Sequence, residues 1–234
     1  MGSIWLVLAV SIPLVLFIGS TIFISFVTVN SLNIRNGIVS SDFLVYFLMV
    51  IILAIVAGII YIIIDHKLLE RNAEHGRRER MLREGIIEYI TLKARERGME
   101  QALAPQIATM NGIHAESNAE EMNQHNWLAL LLLIPGVNII IGLYILYILT
   151  QYDVKHNQRW YAFAQQTQYA GQALGMTIMF PSWKSTPQRS FVVYLIVTLL
   201  FSLFLIYWYY VLIKDMNEHY KAQWQFEDQL MSSL

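Results

Sequence analysis

The chain has 234 residues, no cysteine and a net charge of −1, with 56% hydrophobic and only 14% charged residues. A soluble domain carries about 25% charged residues, so much of the usual polar coat is missing. The absence of cysteine excludes disulfides, thiolate metal sites and cysteine nucleophiles, and the near-neutral charge gives no reason to invoke nucleic acid.

The charge deficit is local. Residues 1–34, 43–64, 126–152 and 190–213 contain no charged side chain. Each run is long enough for a hydrocarbon core of about 30 Å, which takes about 20 helical residues. None carries the penalty of about 2.5–3.5 kcal/mol that a central Arg or Asp imposes. The expected fold class is therefore all-α integral membrane: a bundle of about four transmembrane helices with an extended amphipathic cytoplasmic helix and an interfacial helix.

Helix one is expected over 4–29 and helix two over 43–64, together a transmembrane hairpin spanning 1–64. Residues Met1 to Trp5 lack Lys and Arg, and the apolar run exceeds a signal peptide's 7–15 residues, so helix one reads as uncleaved. A charged, mainly helical connection follows over 65–126. It holds Lys67, Arg71, Arg77, Arg78, Arg80, Arg83, Lys93, Arg95 and Arg97, nine of the sixteen basic residues, which places it and both termini in the cytoplasm. Leu82, Ile86, Tyr89 and Ile90 recur at helical spacing, and Glu74–Arg78 and Glu79–Arg83 sit four apart in the favourable order. Helix two is thus expected to continue as an amphipathic arm, with weak points at Gly76 and Gly85 and a stop near Gly98. The stretch after Pro105, through Asn111-Gly112 to Asn123, reads as a loop with room for a short helical turn.

The remainder, 127–234, is expected to be a transmembrane pair, 127–149 and 191–213, with an interfacial segment over 160–180 and an amphipathic tail. The connection 150–189 would then face the side opposite the long connection.

The exits of helices three and four look alike. Tyr144, Tyr147 and Leu149 are followed by His156, and Tyr207, Tyr210 and Leu212 by His219, at equal offsets; Phe163 matches Phe226. Helix two echoes this with Leu68, Glu74 and His75. An aromatic belt followed by a helix entering the headgroups accounts for the pattern, and duplication of a helix-plus-exit unit is the alternative.

The exit Tyr210-Val-Leu-Ile-Lys-Asp-Met-Asn217-Glu-His219, with Gln223-Trp224 and Glu227-Asp228, resembles a prokaryotic, mostly archaeal, family of small multi-pass membrane proteins catalogued only as a domain of unknown function. The stretch from Ile134-Pro135-Gly136 to Tyr147, with its exit at His156, is similar to it as well. The likeness covers roughly 130–230 and leaves helix one outside. It implies a membrane fold in a bacterial or archaeal cytoplasmic membrane, and no mechanism.

No Asp, Glu, Lys, Arg or His lies within the four expected spans, which argues against a proton-coupled carrier or ion pump. Asn138, Thr21, Ser25, Thr28, Thr198 and Ser202 read as helix-packing residues, and Pro135-Gly136 as a kink. No two histidines stand at i, i+4, so no metal site is expected; His114, Glu116, Glu120, Glu121 and His125 read as a solvated acidic loop. His156 and His219 are expected to meet water or headgroups. No catalytic residue or cofactor is indicated. The candidate interface or packing residues are Asn138, Pro135, Gly136, Tyr147, His156, Tyr207, Tyr210 and His219. The leading expectation is a non-catalytic accessory or scaffolding subunit whose partners are the bilayer and other membrane subunits or itself. A small-solute or lipid-handling protein with a site near the helix-three break is the runner-up. A metal-dependent enzyme using His114, Glu120 and His125 is third.

Overall fold

The computed structural model describes residues 3–29, 41–121, 125–178, 180 and 186–233. Every regular element among them is helical: α1 (Ser3–Val29), α2 (Ser41–Glu96), α3 (Glu100–Glu121), a 3-10 helix (Asn126–Leu133), α4 (Asn138–Ala173), α5 (Phe191–Leu200) and α6 (Phe204–Ser233). The all-α class holds. One helix, α2, is long and apolar enough to cross a membrane, while Ile18–Thr28 and Phe191–Leu200 are shorter apolar helical stretches. The chain divides into two compact units, Met1–Asp65 with Val192–Ile213, and His66–Phe191 with Lys214–Leu234.

Unit one is held by aromatic contacts between apolar helices. Phe23 meets Phe47 and Phe26 meets Tyr46, with ring centroids 6.1 and 4.8 Å apart. The hydroxyl of Tyr61 donates to the Ala9 carbonyl at 3.3 Å, and that of Tyr209 donates to both Asp65 carboxylate oxygens at 3.0 and 3.2 Å. The expected fourth span is not one helix. After Leu200 the chain turns through 201–203, and Tyr194 packs back on Phe204 and Trp208, 5.2 and 5.5 Å away. Apolar side chains point outward nearly all round: Leu44, Val45, Leu48 and Ile52 on α2 are exposed, and α5 has no buried residue.

Unit two has a conventional core. Ile86, Ile90 and Ala94 of α2 meet Leu103 and Met110 of α3, Trp160, Phe163 and Ala170 of α4, and Phe226 and Leu230 of α6. Two glycine caps shape it. Gly98 and Gly175 have φ of +64° and +62°, where an L side chain is disfavoured. In the first cap Met99 N–H donates to Ala94 O and Gly98 N–H to Arg95 O; in the second Met176 N–H donates to Gly171 O and Gly175 N–H to Gln172 O. Both are the paired bonds of the Schellman motif.

Four expectations are corrected here. The stretch after Pro105 is helical, because burial of Leu103 and Met110 offsets the lost backbone bond. The segment 160–180 is not an interfacial helix: through Ala173 it continues α4, with Trp160 and Phe163 in the core. Pro135-Gly136 is not a kink but a reversal, since Gly136 has φ +82° and a Cβ on Gly142 would lie 3.7 Å from Leu132. The two apolar arms, 126–133 and 138–149, therefore run back alongside each other. Finally, 150–178 and 66–121 do not lie on opposite sides of anything; they belong to one packed unit.

Candidate functional site

Three helices each deliver one imidazole to the same place in unit two: His75 from α2, His156 from α4 and His219 from α6. Every pair of ring centroids is 5.3 Å apart, an equilateral triangle. One ring nitrogen from each lies within 4.8 Å of the other two. The residues are 6%, 3% and 1% exposed, so the expectation that His156 and His219 meet water or headgroups is overturned.

Register brings them together. Four residues beyond the histidines stand Glu79, Trp160 and Gln223, all buried; eleven beyond stand Ile86, Thr167 and Leu230, also buried. Offsets of four and eleven keep to one helix face. Cross-helix pairs rise in step along the chain, with the Tyr220 hydroxyl donating to Asn72 Oδ1, the Gln223 amide donating to Glu79 Oε1, and Arg83 lying over the Trp160 ring at 6.0 Å. Within unit two the three helices thus run parallel, with their histidines at one height.

Glu79 is the polar hub. Its Oε1 lies 3.1 Å from His156 Nε2 and 3.5 Å from His75 Nε2, and its Oε2 is 3.3 Å from Arg83 Nη1. The Tyr152 ring stacks on His156, and the Tyr220 ring covers His75 at 4.4 Å. Burial, opposed by Glu79, lowers the His75 pKa to about 3, and burial likewise holds His219 well below its ordinary value. Burial pushes the Glu79 carboxyl up, but His156, His75 and Arg83 outweigh it and bring it down to about 2. Among the described residues, no hydrogen-bond partner satisfies either ring nitrogen of His219 or Nε2 of His75. Buried polar atoms are normally bonded, so three orphaned imidazole nitrogens mark an arrangement built around something other than packing.

The other expected site residues lie elsewhere. Pro135, Gly136 and Asn138 are exposed at the reversal, and Asn138 Oδ1 accepts the Ile139 N–H at 3.0 Å. Tyr147 packs edge-on to Phe191, and Tyr207 pairs with Tyr210 at 6.4 Å. His114 is 3.4 Å from Glu84 and 2.8 Å from the Asn118 amide, while His125 is exposed and stacks on Trp127. The Glu120 and Glu121 side chains lie outside the described residues. Glu79, Arg83 and Gln223 were not singled out as site residues from sequence. The equal offset of the three histidines from Leu68, Leu149 and Leu212 was the available signal, but the belt reading absorbed it.

Comparison with protein-family models, with curated proteins and with solved structures finds no match to this chain.

Proposed function

We propose that this chain is a non-catalytic accessory or scaffolding subunit of a membrane assembly. In this reading α1 and the apolar part of α2 cross the bilayer, the segments 126–149 and 191–213 dip in and return, and the charged helical segments of unit two serve as a cytoplasmic docking platform. The observation that carries it is the pair of exposed apolar reversals. Ile139 and Ile140 are 70% and 69% exposed beside the first, and Leu199 and Phe201 are 77% and 68% exposed at the second. Non-helical backbone at membrane depth is tolerated where protein covers it, not where lipid does, so these tips call for a partner or a second copy.

Lengths and charges support the same arrangement. The 3-10 arm of 8 residues reaches about 16 Å and the 10-residue α5 about 15 Å, each about half a hydrocarbon core of roughly 30 Å. Fifteen of the sixteen basic residues fall within unit two, leaving Arg35 alone on the far side. That is a stronger positive-inside bias than a four-span arrangement produces. The Asn138 side chain is exposed and its oxygen accepts the Ile139 N–H, which weakens the solute-handling reading.

The chain has no cysteine, so single-cysteine labelling is clean. Ala115→Cys, Tyr161→Cys and Lys221→Cys should all be shielded in intact cells from an impermeant maleimide, and Arg35→Cys should react. Labelling of Tyr161→Cys from outside would restore four spans. Mild-detergent purification from the native membrane should retain stoichiometric partner subunits or a homo-oligomer; a lone monomer would refute the scaffold reading.

A further inference from the structure

We propose that His75, His156, His219 and Glu79 form a four-coordinate binding site for a divalent transition-metal ion of the zinc type. Imidazole suits zinc, copper, iron and nickel. Three histidines with one carboxylate make an N3O donor set that zinc accepts with tetrahedral geometry.

The three imidazoles form the group whose ligand atoms all lie within 4.8 Å of one another, and Glu79, in contact with two of them, is the candidate fourth ligand. Zinc bonds of about 2.0–2.2 Å to nitrogen and oxygen imply tetrahedral edges of about 3.3–3.5 Å. The edges from Glu79 Oε1 to His156 and His75 are 3.1 and 3.5 Å. The imidazole edges, up to 4.8 Å, close by rotation of the rings towards the ion. Neighbouring side chains hold the carboxylate ready. Arg83 engages Oε2, and the Gln223 amide donates to Oε1. Such positioning residues fix ligand orientation in metal sites.

The alternative is a metal-free polar layer, and the bonding pattern argues against it. An unbonded polar group in a protein interior costs about 1–3 kcal/mol. His219 carries two such nitrogens and His75 one, at positions where Leu or Phe would fill the space without that penalty. A metal ion satisfies one nitrogen on each ring at once. It also clamps three helices from distant parts of the chain at a single height. With four protein ligands and full burial the shell is closed, as in structural rather than catalytic zinc sites. The ion would lock the platform, and this holds whether or not a partner docks on it.

The test uses the full-length chain in detergent, purified through a tag without histidine and without chelator. Elemental analysis should find one zinc-class ion per chain. Cobalt(II) added after chelator treatment should give the intense visible absorption of a tetrahedral centre. X-ray absorption of the unmutated protein should report three imidazoles and one oxygen. His219→Phe, which keeps an aromatic ring but no ligand nitrogen, should lose the ion while keeping its helical circular dichroism. Gln223→Leu, which leaves the ligands intact, should weaken cobalt affinity about 10–100-fold. Failure of the unmutated protein to take up zinc or cobalt overturns the proposal, as does a first shell of other composition or undiminished binding by a folded His219→Phe. Loss of metal with partners retained would leave the scaffolding reading standing, so the two fail separately.

Discussion

Replacing Trp160 by alanine separates a core helix from an interfacial one. Trp160 is 1% exposed, lies parallel to Phe163 at 5.4 Å, meets Phe226 edge-on at 5.9 Å and carries the Arg83 guanidinium over its ring at 6.0 Å. Trp→Ala in a packed core costs about 3–5 kcal/mol, a range that already includes the lost stacking and most of the cavity term. Against a typical total of about 5–15 kcal/mol, that removes about a fifth of the stability or more. Its neighbour Tyr161 is 49% exposed, and Tyr161→Ala should fall within about 0.5 kcal/mol of the parent. The assay is denaturant unfolding of the full chain in detergent micelles, followed by near-ultraviolet circular dichroism and by protease susceptibility of the 66–121 stretch. An interfacial helix would make the two substitutions similar and mild. A Trp160→Ala cost below about 1 kcal/mol would refute the packing described here.

Two further outcomes follow from the same unit. A Cβ at Gly171 would sit 2.9 and 3.0 Å from Cδ1 and Cγ1 of Ile178 and 3.4 Å from the Met176 carbonyl. Gly171→Ala should therefore destabilise by about 1–2 kcal/mol, overpacking outweighing the gain of about 1 kcal/mol in helix propensity; a raised melting temperature would contradict this. Acid should loosen metal-free protein, because His75 and His219 have folded pKa values below the unfolded value of 6.5. The unfolded chain then takes up protons first, so stability is complete above about pH 6.5 and falls as pH drops towards 3, by at most about 2.7 kcal/mol per pH unit for two groups. A melting temperature that is flat from pH 7 to pH 4 would contradict the buried, neutral state of these rings.

Composition and periodicity alone determined that this chain is helical, that its apolar stretches avoid charge, and that α2 continues past its apolar part with a stop at Gly98. Those features are local: hydropathy runs, helical spacing and one glycine cap report themselves over a few turns. Tertiary structure decided the rest. Whether an apolar run of about 25 residues crosses a bilayer or reverses midway rests on the Gly136 conformation and on the packing of 138–149 against 126–133, and hydropathy is the same in both cases. The segment 160–173 is aromatic and polar in either environment, and only the presence of Ile86, Ile90 and Phe226 against it makes it core. The histidines show the limit most clearly. Their shared offset was visible, but a repeat in sequence says where residues stand on their own helices, not that three helices run parallel at one height. The separations of 81 residues from His75 to His156 and 63 from His156 to His219 exceed anything local spacing can read. Their convergence exists only once α2, α4 and α6 pack in register.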